Sequence, residues 1–103
     1  MPTTTKYKDY ILEQLSLLNN ITCKPMMGEF LLYYKETLFG GIYDDRLLVK
    51  IVEKNKKYNM PKSIPYNGAK AMYLVNEVDN PKILKEIVLD TYKGLTEKQI
   101  ISC

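Results

Sequence analysis

A chain of 103 residues that is 46% hydrophobic and 26% charged is sized for one globular domain with its own core. Its formal net charge of +3 is mild for a protein whose main task is gripping phosphates, and the complete absence of histidine removes His-based triads, His general bases and His metal sites. The two cysteines, Cys23 and Cys103, stand alone without C-x-x-C spacing, so no zinc set can be assembled from them, and their isolation suits a reducing cytosol.

Tyr7, Ile11, Leu15 and Leu18 recur at steps of three and four, which predicts a helix over 6–20, capped by Thr4 or Thr5 and stopped at Asn19-Asn20. Residues 21–24 have β character that Pro25 breaks or bends. Three β-type runs follow, from Met26 to Tyr34, Leu38 to Tyr43 and Arg46 to Lys50. The breaks between them, Lys35-Glu36-Thr37 and Asp44-Asp45, are short and polar. Breaks of that length join only antiparallel neighbours, so the middle of the chain is a three-stranded meander.

Beyond it, residues 51–59 predict a short helix with a charged outer face, and the proline-rich stretch 60–68 a loop. Residues 71–75 predict an apolar strand. Asn80-Pro81 supplies the cap and first-turn proline of a last helix, whose stripe is Ile83, Leu84, Ile87, Val88, Thr91 and Tyr92. Gly94 is placed as its stop, with room for a further short turn over 95–103, where the terminal Cys103 is expected to be exposed. Together these elements predict a single α+β domain over 1–103, a two-layer structure with an antiparallel sheet and helices packed on one face. The tyrosines at 33, 34, 43, 66 and 73 are then expected to line the other face.

Three motifs in register carry a family resemblance. They are Lys24-Pro25-Met26-Met27-Gly28-Glu29-Phe30, Asp44-Asp45-Arg46-Leu47-Leu48-Val49-Lys50 and Pro65-Tyr66-Asn67-Gly68-Ala69-Lys70-Ala71-Met72-Tyr73. In that order the chain resembles the N-terminal domain of the TfoX competence-regulator family, in its stand-alone short form. The resemblance implies a fold related to the secretion-chaperone-like domains and a role in regulating genes for natural DNA uptake. The family's second domain has no counterpart in this sequence, so activities that depend on it are not implied. The family supplies no catalytic residues either.

Several residues invite a functional reading beside a structural one. Gly28, Gly40, Gly41 and Gly68 match no phosphate-loop pattern and read as bulge, twist or close-approach glycines. Met26 and Met27 read as core at the start of the sheet or as an adaptable contact surface. The run Phe30-Leu31-Leu32-Tyr33-Tyr34 has no polar residue to mark an outward face, and such a strand calls for a partner. The candidate contact residues are Met26, Met27, Phe30, Tyr33, Tyr34, Phe39, Tyr43 and Tyr73, with a protein partner or a second copy as occupant. Lys54, Lys56, Lys57, Lys62 and Lys70, interleaved with tyrosines, form a candidate basic patch for single-stranded nucleic acid, or a solvated helix face beside a loop.

Glu29, Glu36, Asp44, Asp45 and Cys23 are the possible catalytic groups. The Asp pair fits a hairpin tip for its backbone geometry alone, and Cys23 has no histidine partner. No enzyme, no cofactor and no metal site is therefore expected. No apolar run reaches membrane-spanning length and residues 1–5 lack the apolar core of a signal peptide, so a cytoplasmic protein is expected. The first expectation is a non-enzymatic protein-interaction module in transcriptional regulation, working as a homodimer; the alternative is a nucleic-acid-binding module using Lys54 to Lys70, and a small enzyme or ligand carrier comes last. The last predicts a pocket near Tyr66 and Lys70.

Overall fold

The computed structural model describes residues 3–101 and the side chains of residues 3–96, so Cys103 lies outside the described residues. In chain order the elements are α1 (Thr5–Gln14), β1 (Ile21–Met26), β2 (Glu29–Tyr34), β3 (Thr37–Ile42), β4 (Leu47–Val49), a 3-10 helix (Glu53–Tyr58), β5 (Lys62–Ser63), β6 (Met72–Leu74) and α2 (Pro81–Ile101). The strands make one six-stranded sheet in the order β1-β2-β3-β4-β6-β5. Every pairing is antiparallel. The class is α+β, as expected. Ile11 and Leu15 of α1 and Leu84, Ile87 and Val88 of α2 share one core with Leu32, Phe39, Leu47 and Val49 of the sheet.

The α1 stripe is as expected, with Ile11, Leu15 and Leu18 buried and Thr4 capping the Tyr7 N–H. The helix itself stops at Gln14. Tighter i→i−3 bonds, Ser16 N–H to the Glu13 carbonyl (3.1 Å) and Leu18 N–H to the Leu15 carbonyl (2.9 Å), continue the winding and keep Leu18 on the core side. At α2, Asn80 Oδ1 accepts from the Ile83 N–H (3.3 Å), so Asn80-Pro81 does start the helix.

Three two-residue hairpins join β1 to β4, each with positive φ at both central residues. These are Met27 (50°) with Gly28 (89°), Lys35 (48°) with Glu36 (67°), and Asp44 (52°) with Asp45 (54°). Such turns match the right-handed twist of the strands they connect. The run from Met26 to Tyr34 is therefore not one strand. It turns at Met27-Gly28, and Pro25, expected as a break, sits inside β1 at the sheet edge, where a missing N–H costs no ladder bond. Gly28 is a turn glycine and not a strand glycine.

Gly40 and Gly41 do mark close backbone approach. A Cβ on Gly40 would lie 2.1 Å from the Leu48 carbonyl oxygen, and one on Gly41 2.6 Å from that of Phe30. The β2–β3 register also slips between Leu32 and Tyr33, which inserts Phe39 as a bulge residue and lets Phe39 and Ile42, three apart, both enter the core. Gly94 is not a stop: α2 continues to Ile101. A Cβ there would lie 2.6 Å from Val52 Cγ2, so this glycine lets the helix lie against the segment after β4. Within the expected loop, Lys62–Ser63 pairs with Tyr73 and Met72 as a short edge strand.

Candidate functional site

Alternation along the strands separates two sheet faces. Leu47 and Val49 enter the helix-side core, so Leu48 between them points the other way, and it is fully buried as well. The outer face is therefore not bare, and the loop between β5 and β6 lies against part of it, with the Tyr66 ring beside that of Tyr43. Arg46, just after the third hairpin, holds that loop down. Its Nη1 donates to Ser63 Oγ (2.6 Å) and the Ile64 carbonyl (3.2 Å), its Nη2 to the Pro65 carbonyl (3.3 Å), and its Nε to the Tyr43 carbonyl (3.2 Å). The planar guanidinium suits this task because its five donors form a fixed fork.

Between loop and sheet lies a cleft of about 520 Å³. Leu38, Ile51, Pro65 and Met72 give it apolar walls, Tyr43 and Tyr66 aromatic ones, and Lys50 and Lys70 also line it. The two tyrosine rings are tilted 51° with centroids 6.2 Å apart. Tyr43 is buried, whereas Tyr66 is 57% exposed and keeps a free ring surface. Burial pushes the Tyr43 hydroxyl above its ordinary pKa, with Tyr66, Glu29 and Tyr33 adding to the effect, so it stays a neutral donor. An adjoining cleft of about 380 Å³ shares Pro65 and Tyr66 and contains Glu29, Asp44 and Arg46.

The expected contact residues do not form one surface. Tyr34, Phe39 and Tyr73 are spent in the helix-side core, where Tyr34 packs edge-on against Tyr92 at 4.9 Å between centroids. That corrects the expectation that Tyr34 and Tyr73 line the outer face. Phe30 packs against the same core, and Tyr43 is buried in the cleft. Met26 is half-buried, and Met27, 98% exposed at a hairpin tip, is no core residue. Tyr33 remains on the outer face, in the row of Leu31 and Leu38, with Lys24 Nζ 5.1 Å from its ring centroid. A helix-side and an outward tyrosine look alike in sequence because β2 is apolar on both faces.

The lysines are also divided. Lys56 pairs with Glu53 (3.1 Å) and Lys57 with Asp90 (3.2 Å), whereas Lys70 belongs to the cleft. Lys54 and Lys62 are exposed on the 3-10 helix and on β5. The sequence reading overlooked Asn55, which lies fully buried between them. Its Nδ2 donates to the Lys50 carbonyl (2.8 Å) and Thr91 Oγ1 (2.9 Å), and its Oδ1 accepts from the Val52 N–H (3.2 Å). This amide fixes the cleft residues Lys50 and Ile51 to α2. A polar residue in a charged run carries no sequence sign of being buried.

The acidic candidates hold the N-terminal segment. Glu29 Oε1 accepts from Thr3 N–H (2.9 Å), Thr3 Oγ1 (2.7 Å) and Asp44 N–H (3.1 Å). Asp45 Oδ1 accepts from Thr4 N–H (2.9 Å) and Thr4 Oγ1 (3.2 Å). Glu36 occupies a hairpin turn. Burial raises the Cys23 thiol pKa, which lowers its thiolate fraction and its nucleophilicity. Among the described residues no group of three His, Cys, Asp or Glu is placed to hold a metal, and no helix is long and apolar enough to cross a membrane.

Fold and site together define a class, a small α+β domain on one antiparallel sheet, with a cleft on the face turned away from its helices. No family model matches the chain. Over 80 residues, 76% of this chain and 70% of the relative, it is 28% identical to "Uncharacterized 12.7 kDa protein in trpE 5'region" of Spirochaeta aurantia.

Proposed function

We propose that this chain is a non-catalytic binding module and that its site is the cleft between the 64–71 loop and the outer sheet face. One observation carries this reading: a mostly apolar concavity of about 520 Å³, roofed by a loop that Arg46 pins at its start, through Ser63 at the end of β5 and the loop residues Ile64 and Pro65. Ligand sites are commonly preformed, apolar and sized at about 300–1,000 Å³, with a few polar groups fixing orientation. The cellular setting we propose is transcriptional regulation, which the resemblance to the competence-regulator domain implies. The test is a fragment screen read by backbone-amide NMR on the intact protein and on Ala71→Trp, whose exposed parent residue lines the cleft. Ligands that shift amides of 38–43 and 65–72 in the parent and lose affinity in Ala71→Trp support the reading. A screen whose ligands map elsewhere, or that yields none, refutes it.

A second reading, contact with another copy of the chain, draws on Leu31, Tyr33 and Leu38. They stand half-buried in one row, and Leu38 continues that row into the cleft. Sedimentation of the parent and of Tyr33→Glu across a concentration series tests it. A monomer throughout in the parent overturns it.

A further inference from the structure

We infer that the cleft takes a small aromatic carboxylate, its ring against Tyr66 and its charge compensated by Lys50 and Lys70. This rests on the binding-module reading and adds the class of ligand. Charge is the first argument. No carboxylate lines this cleft, and neither Lys50 nor Lys70 has an ion-pair partner among the described residues. Three lysines elsewhere are paired, Lys8 with Asp9, Lys56 with Glu53 and Lys57 with Asp90, so what sets Lys50 and Lys70 apart is that both line this cleft. Two acids, Glu29 and Asp44, line the adjoining cleft, and Glu29 Oε1 already accepts three hydrogen bonds. Two cations without ion pairs, one from the sheet side and one from the loop, favour an anion between them and disfavour a cation. Lys50 is half-buried, and an entering carboxylate would give its ammonium a charge-assisted partner.

Shape and polarity narrow the anion. Leu38, Ile51, Pro65 and Met72 offer an apolar body no hydrogen bonds, so a highly hydroxylated or phosphate-rich ligand would leave its polar groups unmet. The one arginine nearby is committed to the loop and cannot fork onto a phosphate. Tyr66 presents a ring surface that is 57% exposed, tilted 51° against Tyr43. The 6.2 Å between their centroids leaves no room for a third ring between them, so a ligand ring lies on the outer side of Tyr66, offset or edge-on.

A matched probe set tests this on the intact protein by NMR: 2-naphthoate, 2-naphthalenemethanol, 2-naphthylmethylamine and inorganic phosphate. The naphthoate should bind about ten-fold more tightly than the alcohol, the amine and phosphate more weakly still. Lys50→Gln and Lys70→Gln should each weaken naphthoate by about three- to ten-fold and leave the alcohol unchanged, a split that simple misfolding would not produce. Raising salt should weaken naphthoate alone. Equal affinity for naphthoate and alcohol, with amide shifts in the cleft, overturns the carboxylate while the binding module stands. Phosphate binding as tightly as naphthoate overturns the aromatic part. Shifts outside the cleft, or none with any probe, overturn the module itself.

Discussion

Replacing Asn55 by alanine should unfold much of the margin on which this domain stands. The side chain is fully buried and makes three hydrogen bonds, to the Lys50 carbonyl, Thr91 Oγ1 and the Val52 N–H. Thr91 loses least, because its hydroxyl still donates to the Ile87 carbonyl at 2.7 Å, so its share is about 1 kcal/mol. The Lys50 carbonyl and the Val52 N–H lose this partner in half-buried positions, at about 1–2 kcal/mol each. The total is about 3–5 kcal/mol, out of the 5–15 kcal/mol typical of a domain. At about 4–8 °C per kcal/mol for a chain of this size, the melting temperature should fall by about 12–40 °C. Urea unfolding followed by circular dichroism measures the loss, with an unchanged slope showing that the unfolded state is the same. Thr91→Val should cost less, about 1–2 kcal/mol, and the double variant should show coupling of about 1 kcal/mol. A loss under about 1 kcal/mol for Asn55→Ala, or strict additivity with Thr91→Val, would refute the reasoning.

Arg46→Lys should not rescue Arg46→Ala, since one ammonium cannot reach Ser63, Ile64 and Pro65 together; both should raise amide exchange over 63–66, and unchanged exchange would count against the roof. Gly40→Ala should cost at least about 3 kcal/mol, because the Leu48 carbonyl oxygen that its Cβ would strike is backbone and cannot step aside. Asp90 and Tyr58 make stability depend on pH at both ends of the scale. Partial burial raises the Asp90 pKa, but the Tyr58 hydroxyl (2.5 Å) and Lys57 outweigh it, and the net value lies below 3.8. Its contribution is therefore present above the unfolded pKa and lost as pH falls through the folded one. The Tyr58 pKa is raised above 10.0, chiefly by burial and then by Asp90, so its contribution is present below pH 10.0 and lost as pH rises beyond it. Tyr58→Phe should shrink the alkaline loss, to which the raised Tyr7 and Tyr43 hydroxyls also contribute, and soften the acid one, and an unchanged pH–stability profile would refute the pairing.

The local grammar of this fold was written in its sequence. Apolar steps of three and four set α1 and α2, Asn80-Pro81 started the second of them, and breaks too short for a crossover forced antiparallel neighbours. Each of these rests on interactions within a few residues, which a linear reading can weigh. Gly94 shows the limit, since the space it grants belongs to Val52, 42 positions away in the chain. The turn at Met27-Gly28 was hidden for a related reason, because Pro25 gave the stronger local signal and only its place at the sheet edge made it harmless.

The site divides in the same way. Tyr66 and Lys70 could be marked as neighbours of a pocket from the loop that carries them. Lys50, Ile51 and Leu38 could not, because they reach it from β3 and the end of β4. Sequence alone determined the alphabet of elements and the pairing sense of the strands. Tertiary structure decided which face each tyrosine takes, where Asn55 is buried, and that Arg46 draws a loop across the outer sheet. A face with no polar marks on either side is assigned only by what packs against it, and that contact is made by residues distant along the chain.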